Sequence, residues 1–326
     1  MFIFVLKFFF VELGVIISKG AKMSVKVAIN GFGRIGRCAA RIILERDDVE
    51  LVAINDTATR DMTRYLLKYD SVHGEFKQDV KVISDDFIEV NGKKIRVFST
   101  RDLNELSYAD YGVDVVLECT GKFLTTEKCE PYLARGIKKV VMSAPAKDDT
   151  ATFVVGVNDD KYAGEAIVSN ASCTTNGQSL VDVKAKDFRR SRAAALNIGP
   201  TTTGAAKAIA KVLPELNGKM HGQSVRVPVA NVSMVDLTAV LKRPASKEEI
   251  NEAFRAAAES NLKGILFVDD DYRVSSDFCT SAYSSIVASD TTQVIADDMV
   301  KVFAWYDNEW GYSTRLVDLA KIVATK

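Results

Sequence analysis

VKVAINGFGRIGR, residues 25–37, decides the fold. Val25 to Ile29 is apolar apart from Lys26 and runs straight into Asn30-Gly31, which reads as a short buried strand ending at a turn. From Ile35 to Glu45 the apolar residues recur at helical spacing, and Glu50 to Ile54 is a second buried strand that ends at Asn55-Asp56. Strand, helix and strand within so short a span predict a βαβ unit with parallel strands. Gly31, Gly33 and Gly36 form G-x-G-x-x-G at the junction of the first strand and the helix, where the mechanism of dinucleotide binding requires them. The first glycine allows a tight turn, the second lets the backbone approach a pyrophosphate, and the third lets helix and strand pack closely. The helix N-terminus then offers N–H groups and a positive dipole end to the phosphates.

Asp56 follows Gly36 by about twenty residues, where a carboxylate hydrogen-bonds the ribose hydroxyls of NAD and opposes the 2′-phosphate of NADP. NAD is therefore preferred over NADP, although Thr57 is small and Arg60 is near enough to help a phosphate. A plain glycine turn followed by an aspartate helix cap is the alternative reading of these residues.

Outward from this unit the pattern repeats. Val113 to Glu118 reads as a strand, Glu127 to Ala134 as a helix and Lys139 to Met142 as a strand, so the first half predicts a doubly wound parallel sheet. Phe87 to Phe98, with Asn91-Gly92 at its centre, reads as an inserted hairpin. The second half differs. Strands are predicted at Val225 to Val227, Asn231 to Val240, Tyr283 to Ile286, Val294 to Ala296 and Val300 to Tyr306, and helices at Thr203 to Leu213, Lys247 to Ser260 and Ser313 to Ala324. An α+β domain with a mainly antiparallel sheet fits this order. The predicted division is an extension over residues 1–22, a Rossmann-type dinucleotide domain over 23–171, a catalytic domain over 172–308, and a C-terminal helix over 309–326 that returns to the first domain.

Composition limits the function. The chain has 326 residues, 47% of them hydrophobic, enough for two domains with their own cores. Lys+Arg and Asp+Glu are both 43, so no global field draws in nucleic acid or an anionic membrane. The five cysteines form no CxxC pair, and His73 and His221 are the only histidines, which disfavours a metal site and points to a reducing, cytoplasmic setting. Met1 to Ile17 is apolar but broken by Lys7 and Glu12. It reads as an extension ahead of a start at Met23, with a signal or anchor as the alternative.

Cys173 stands apart from the other thiols. It follows the apolar run Ala166 to Val168 and sits among hydroxyl and amide side chains in SNASCTTN, residues 169–176. A helix starting there would favour the thiolate, which can attack an aldehyde. An inert surface cysteine in a polar loop is the other reading.

At this point INGFGRIGR, AINDT, LLKYDSVHG, SAPAKDD, SNASCTTN, PTTTGAAKA, LPELNGK, SMVDLT and WYDNEWGYS, taken in order, resemble the phosphorylating glyceraldehyde-3-phosphate dehydrogenases from Ser24 to Lys326. The resemblance implies oxidation of D-glyceraldehyde 3-phosphate with NAD and inorganic phosphate, in a homotetramer. It implies that Cys173 is the nucleophile. Gly31, Gly33, Arg34, Ile35 and Gly36 would line the pyrophosphate turn, with Asp56 on the adenosine ribose and Arg101, Thr120 and Gly121 along the cofactor. Asn308 would orient the nicotinamide carboxamide, with Tyr312 close by. Ser172, Thr174, Thr203, Gly204 and Arg226 would hold phosphate groups, a task that suits the planar fork of arginine. Without the resemblance, Arg226 could as well make a surface salt bridge and the Thr203 region an ordinary helix cap. Gln178 to Pro200 resembles the loop that packs at the family's subunit contacts.

The resemblance breaks after Asn176. In the family SNASCTTN leads into a helix, a strand and then TT-x-H-x-Y-T; here Gly177-Gln178-Ser179-Leu180 matches only beyond that histidine, so about thirty residues are missing. The departure removes the general base, a contribution of about 10²–10⁴-fold. It also removes the helix dipole expected at Cys173 and a threonine of the substrate-phosphate site, and it takes a helix and a strand from the second domain, a loss of several kcal/mol or more against a margin of about 5–15 kcal/mol. The sequence therefore predicts a dehydrogenase scaffold with weakened or absent catalysis. A non-catalytic NAD-binding protein and an erythrose-4-phosphate-type dehydrogenase are the competing readings.

Overall fold

A computed structural model describes residues 24–171, 181–185, 187–203 and 205–326, with only the backbone for 205–207. The described residues divide into two compact units. One runs to Ala171 and includes Tyr312–Lys326; the other ends at Gly311. The expectations for residues 1–22 and for Ser172, Cys173, Thr174 and Gly204 lie outside the described residues.

The first unit is built on one eight-stranded sheet. Strand β1 (Val25–Asn30) leads into helix α1 (Arg34–Leu44), then β2 (Val49–Asn55) and helix α2 (Arg60–Lys68). Strands β3 (Val80–Ser84), β4 (Phe87–Val90) and β5 (Lys93–Phe98) form an antiparallel meander, with β5 parallel to β2. Strand β6 (Val115–Glu118), helix α3 (Thr126–Ala134), β7 (Lys139–Met142) and β8 (Ile167–Ser169) complete it. The spatial order is β3-β4-β5-β2-β1-β6-β7-β8, parallel from β5 to β8. The strand order reverses beside β1, and its near-continuous apolar sequence reflects burial on both faces. Helix α1 buries Cys38, Ala39, Ala40, Ile42 and Ile43. Its buried Arg41 donates to the carbonyls of Leu67, Lys68 and Gly74, so the guanidinium caps the C-terminal end of α2.

The second unit holds a five-stranded sheet. Strands β11 (Ser233–Val240) and β15 (Met299–Tyr306) pair antiparallel over their full length; β13 (Ser285–Ala288) and β14 (Gln293–Ile295) also run antiparallel to β15. Only β12 (Leu266–Asp269) is parallel to its neighbour β13. A separate ribbon pairs β9 (Gly199–Thr201) with β10 (Ser224–Arg226). Helix α4 (Ala205–Val212) follows β9, and helix α5 (Lys247–Glu259) packs along β12 behind a Ser246/Glu249 capping box. Phe278 and Trp305 stack at 6.1 Å in a core with Val232 and Ile286. The last helix, α6 (Trp310–Thr325), buries Leu316, Val317, Leu319, Ala320 and Val323. From Tyr312 onward it belongs to the first unit: Asp318 and Lys321 pair with Arg46 and Asp48, and Tyr162 donates its hydroxyl to the Val323 carbonyl.

Candidate dinucleotide site

The Asn30-Gly31 turn takes its shape from a close approach. Gly31 has φ +95°, and a Cβ there would stand 2.7 Å from the backbone nitrogen of Thr120. A Cβ on Gly36 would lie 2.2 Å from the carbonyl oxygen of Gly31. Gly33 is different: nothing lies within 4 Å of its would-be Cβ, and it is exposed. It is also the N-cap of α1, where a glycine offers no side chain to cap the helix, and no acidic residue stands in the first turn. Two glycines are thus required by internal packing, while the third leaves open space at the start of the helix. That division of labour suits an anion at the helix N-terminus.

Ile35 and Arg34 are half-buried in the first turn of α1. Arg34 reaches Asp70 at 2.5 Å. Burial pushes the Asp70 carboxyl up, but N–H donors from His73 and Val72 and the Arg34 guanidinium outweigh it and bring it down to about 2. The LLKYDSVHG stretch therefore holds the arginine beside the glycine turn.

Asp56 sits one residue past β2 and accepts from Ala58 N–H at 3.2 Å and the Thr63 hydroxyl at 3.3 Å. With Asn30, Gly31, Asn55, Thr57, Thr100, Arg101, Thr120 and Lys122 it lines a groove of about 180 Å³ at the C-terminal ends of β1, β2, β5 and β6. The groove shares Arg101, Leu103, Lys122 and Phe123 with a wider hollow of about 440 Å³. Gly121, with φ +69°, lies on the same exposed turn. Arg60, which the sequence places near a phosphate, instead donates Nε to the Asp85 carbonyl at 2.6 Å.

Beneath the groove lies a polar network that the motif spacing does not reveal. Glu118 at the end of β6 is fully buried. It accepts from Thr120 N–H at 2.8 Å, from the Thr120 hydroxyl, from Asn30 Nδ2 at 2.7 Å and from the Tyr132 hydroxyl at 2.8 Å. Burial raises its carboxyl above the usual range, against the pull of these donors. Burial also pushes the thiols of Cys119 and Cys129 up to about 12, which leaves both un-ionised at neutral pH.

In the second unit Arg226 ends β10 and Thr203 follows β9. Burial and the neighbouring Arg190 lower the Arg226 guanidinium, and Asp187 opposes them. Arg190 donates to the Thr201 hydroxyl at 2.8 Å and to the Thr202 carbonyl at 3.1 Å. Arg190 lies outside the β9–β10 ribbon but is tied to its Thr201 end, and the sequence did not single it out. Asn308 follows β15, and its Oδ1 accepts from the Ser233 hydroxyl at 2.9 Å. The buried Asp307 accepts from the N–H groups of Thr280, Glu309 and Trp310 and so caps α6. Tyr312 is buried, its hydroxyl donating to the Ala171 carbonyl at 3.3 Å.

A doubly wound sheet with a glycine turn at its strand reversal and a carboxylate after the second strand defines a Rossmann-type dinucleotide-binding protein. Comparison with known proteins narrows this. Residues 25–126 match the family model described as glyceraldehyde 3-phosphate dehydrogenase, NAD binding domain, and residues 151–308 match that of its C-terminal domain. The chain is 47% identical over 334 residues to the glyceraldehyde-3-phosphate dehydrogenase of Geobacillus stearothermophilus, across 93% of this chain and 99% of the relative. It is 47% identical over 326 residues to glyceraldehyde-3-phosphate dehydrogenase A of Escherichia coli K12, across 91% and 98%. It is 48% identical over 330 residues to chloroplastic GAPA1 of Arabidopsis thaliana, across 92% and 83%. The chain belongs to the glyceraldehyde-3-phosphate dehydrogenase family, NAD-dependent oxidoreductases, and its first unit carries that family's NAD-binding domain.

Proposed function

We propose that residues 23–171, with the helix of 309–326, bind NAD, and that residues 172–308 form the remnant of a domain for D-glyceraldehyde 3-phosphate and inorganic phosphate. The observation that carries this reading is the open space at Gly33, a helix N-cap with no side chain of its own, framed by Gly31 and Gly36 that no larger residue could replace. Gly31, Gly33, Ile35 and Gly36 would hold the pyrophosphate, with Arg34 anchored by Asp70. Asp56 would take the adenosine ribose, Arg101, Thr120 and Gly121 would border the cofactor, and Asn308 with Tyr312 would serve the nicotinamide. NAD, when bound, accepts a hydride.

In this reading Cys173 adds to the substrate aldehyde and, after oxidation, carries it as a thioester. Inorganic phosphate attacks that thioester and releases 1,3-bisphosphoglycerate and the free thiol. Ser172, Thr174, Thr203, Gly204 and Arg226 would hold the two phosphate groups. No histidine lies between Cys173 and His221, so no imidazole of that segment takes the proton of the thiol or of the hemithioacetal hydroxyl. Length supports the missing segment: the alignment to the Geobacillus relative spans 334 positions, yet this 326-residue chain contributes 93% of itself, which leaves about thirty positions without a counterpart. The proposed chain therefore binds NAD and turns over slowly or not at all.

Partners and setting follow from the same reading. The stretch 178–200 presents Phe188, Leu196 and Ile198 at 88%, 82% and 72% exposure, which favours a homo-oligomer, a tetramer as the family resemblance implies. A cytoplasmic location is proposed. Among the described residues no helix is long and apolar enough to cross a membrane. Calorimetric titration with NAD tests the central reading. Saturable binding at one site per chain is expected, and the absence of binding at millimolar NAD overturns it.

A further inference from the structure

The network under the dinucleotide groove has a direction. At one end the backbone N–H of Thr100 donates to Asn55 Oδ1 at 3.1 Å. Asn55 Nδ2 donates to Asn30 Oδ1 at 2.7 Å, and Asn30 Nδ2 donates to Glu118 Oε2 at 2.7 Å. At the other end the backbone N–H of Thr120 donates to Glu118 Oε1 at 2.8 Å. Both ends are therefore backbone donors pointing inward. An asparagine amide has one donor end and one acceptor end, so it passes the direction along without reversing it. A chain closed by two donors can be satisfied only if one member accepts on both sides, and Glu118 is that member. Protonation on Oε1, toward the Thr120 hydroxyl, would leave Oε2 an acceptor and the direction unchanged.

The relay runs across the ends of four neighbouring strands, in the order β5-β2-β1-β6, and ends on the turns after β5 and β6, both of which line the groove. Asn55 also donates to the Thr100 carbonyl at 2.9 Å, so it grips both backbone groups of that residue, next to Arg101. Asn30, Asn55 and Glu118 are all buried, where a reversed amide would face donor against donor at a cost in free energy.

We propose that Glu118 is a positioning residue: as the acceptor-only member of a buried amide relay through Asn30 and Asn55, it fixes the direction of both amides and holds the Thr100–Arg101 turn against the dinucleotide groove. The inference deepens the NAD-binding reading and rests on it for its functional consequence.

Glu118→Gln tests it. Glutamine keeps the size but turns one acceptor into a donor, which forces a conflict somewhere along the relay. In the full chain, amide exchange at Thr100 should quicken about tenfold and the affinity for ADP-ribose should fall about tenfold. Moving the carboxylate one place along restores the parity. In the double variant Glu118→Gln with Asn30→Asp, the introduced glutamine amide would donate to the introduced carboxylate, which would also accept from Asn55. Both readouts should return to within about threefold of the parent, although Asn30→Asp alone should be damaging. A role in packing alone predicts no such rescue. Unchanged Thr100 exchange in the single variant, or losses in the double variant that multiply those of the singles, would overturn the proposal. Should the single variant not fold, a folded double variant with a protected Thr100 amide supports the relay, and an unfolded one overturns it. If the parent itself fails to bind ADP-ribose, the dinucleotide reading falls, and Thr100 exchange still judges the relay.

Discussion

Gly33 and Gly36 stand three residues apart, yet a methyl group has opposite consequences at the two. At Gly36 it would strike the Gly31 carbonyl at 2.2 Å, and backbone cannot rotate aside. Gly36→Ala should destabilise the first unit by about 1–3 kcal/mol in urea unfolding, despite the better helix propensity of alanine. At Gly33 φ is −73° and the space is open, so Gly33→Ala should change stability by less than about 0.5 kcal/mol. Its effect should fall on NAD, with an affinity loss of about tenfold or more in calorimetry. Asp70 makes a pH prediction. Its folded carboxyl titrates near 2, below the unfolded value of about 4, so its stabilisation is complete above that unfolded value and is lost as pH falls toward 2. Asp70→Asn should lower stability at neutral pH by about 1–2 kcal/mol after allowance for screening, and the gap should close near pH 2.

At the scale of elements, the last helix is tied to the first unit by charge. Arg46 pairs with Asp48 at 2.9 Å and with Asp318 at 2.6 Å, Lys321 reaches Asp48 at 2.8 Å, and Arg315 reaches Asp318 at 2.8 Å. The Arg46 hydrogen bonds, opposed by burial, hold the Asp48 carboxyl well below the usual range. Asp48→Asn should lower the melting temperature by roughly 2–6 °C, and added salt should narrow the difference. The elements themselves were unevenly legible. β1, α1 and β2 could be read because their apolar spacing is regular and a glycine turn punctuates it. Lys247 to Ser260 could be read because Ser246 and Glu249 announce a capped start. Helix α2 was missed because Arg60 to Lys68 is mostly polar and its cap, Thr59, stands in no obvious pattern. Strands β3 and β12 were missed because each has only four or five residues and runs straight into acidic residues, Asp85-Asp86 after β3 and Asp270-Asp271 after β12. Asp56 and the glycines were visible because their chemistry is local. The relay of Asn30, Asn55 and Glu118 was invisible because only the sheet order brings together residues so far apart in sequence.

At the scale of the whole molecule, an NAD-binding domain of this family is joined to the family's C-terminal domain, which in the proposed reading lacks the segment expected to bear the histidine. Exposed apolar side chains at Phe188, Leu196 and Ile198 predict self-association. Sedimentation of the full chain should show species larger than 35.7 kDa, and Leu196→Asp should shift them toward the monomer. The proposed loss of the general base predicts a separation of binding from chemistry. The measurement that addresses this most directly is the rate of NADH formation by the full chain, saturated with NAD, in glyceraldehyde 3-phosphate and inorganic phosphate. With the histidine's contribution of about 10²–10⁴-fold absent, turnover should fall below about 0.1 s⁻¹ while NAD still binds. Turnover near 10 s⁻¹ or above, an ordinary enzyme's rate, would contradict the account.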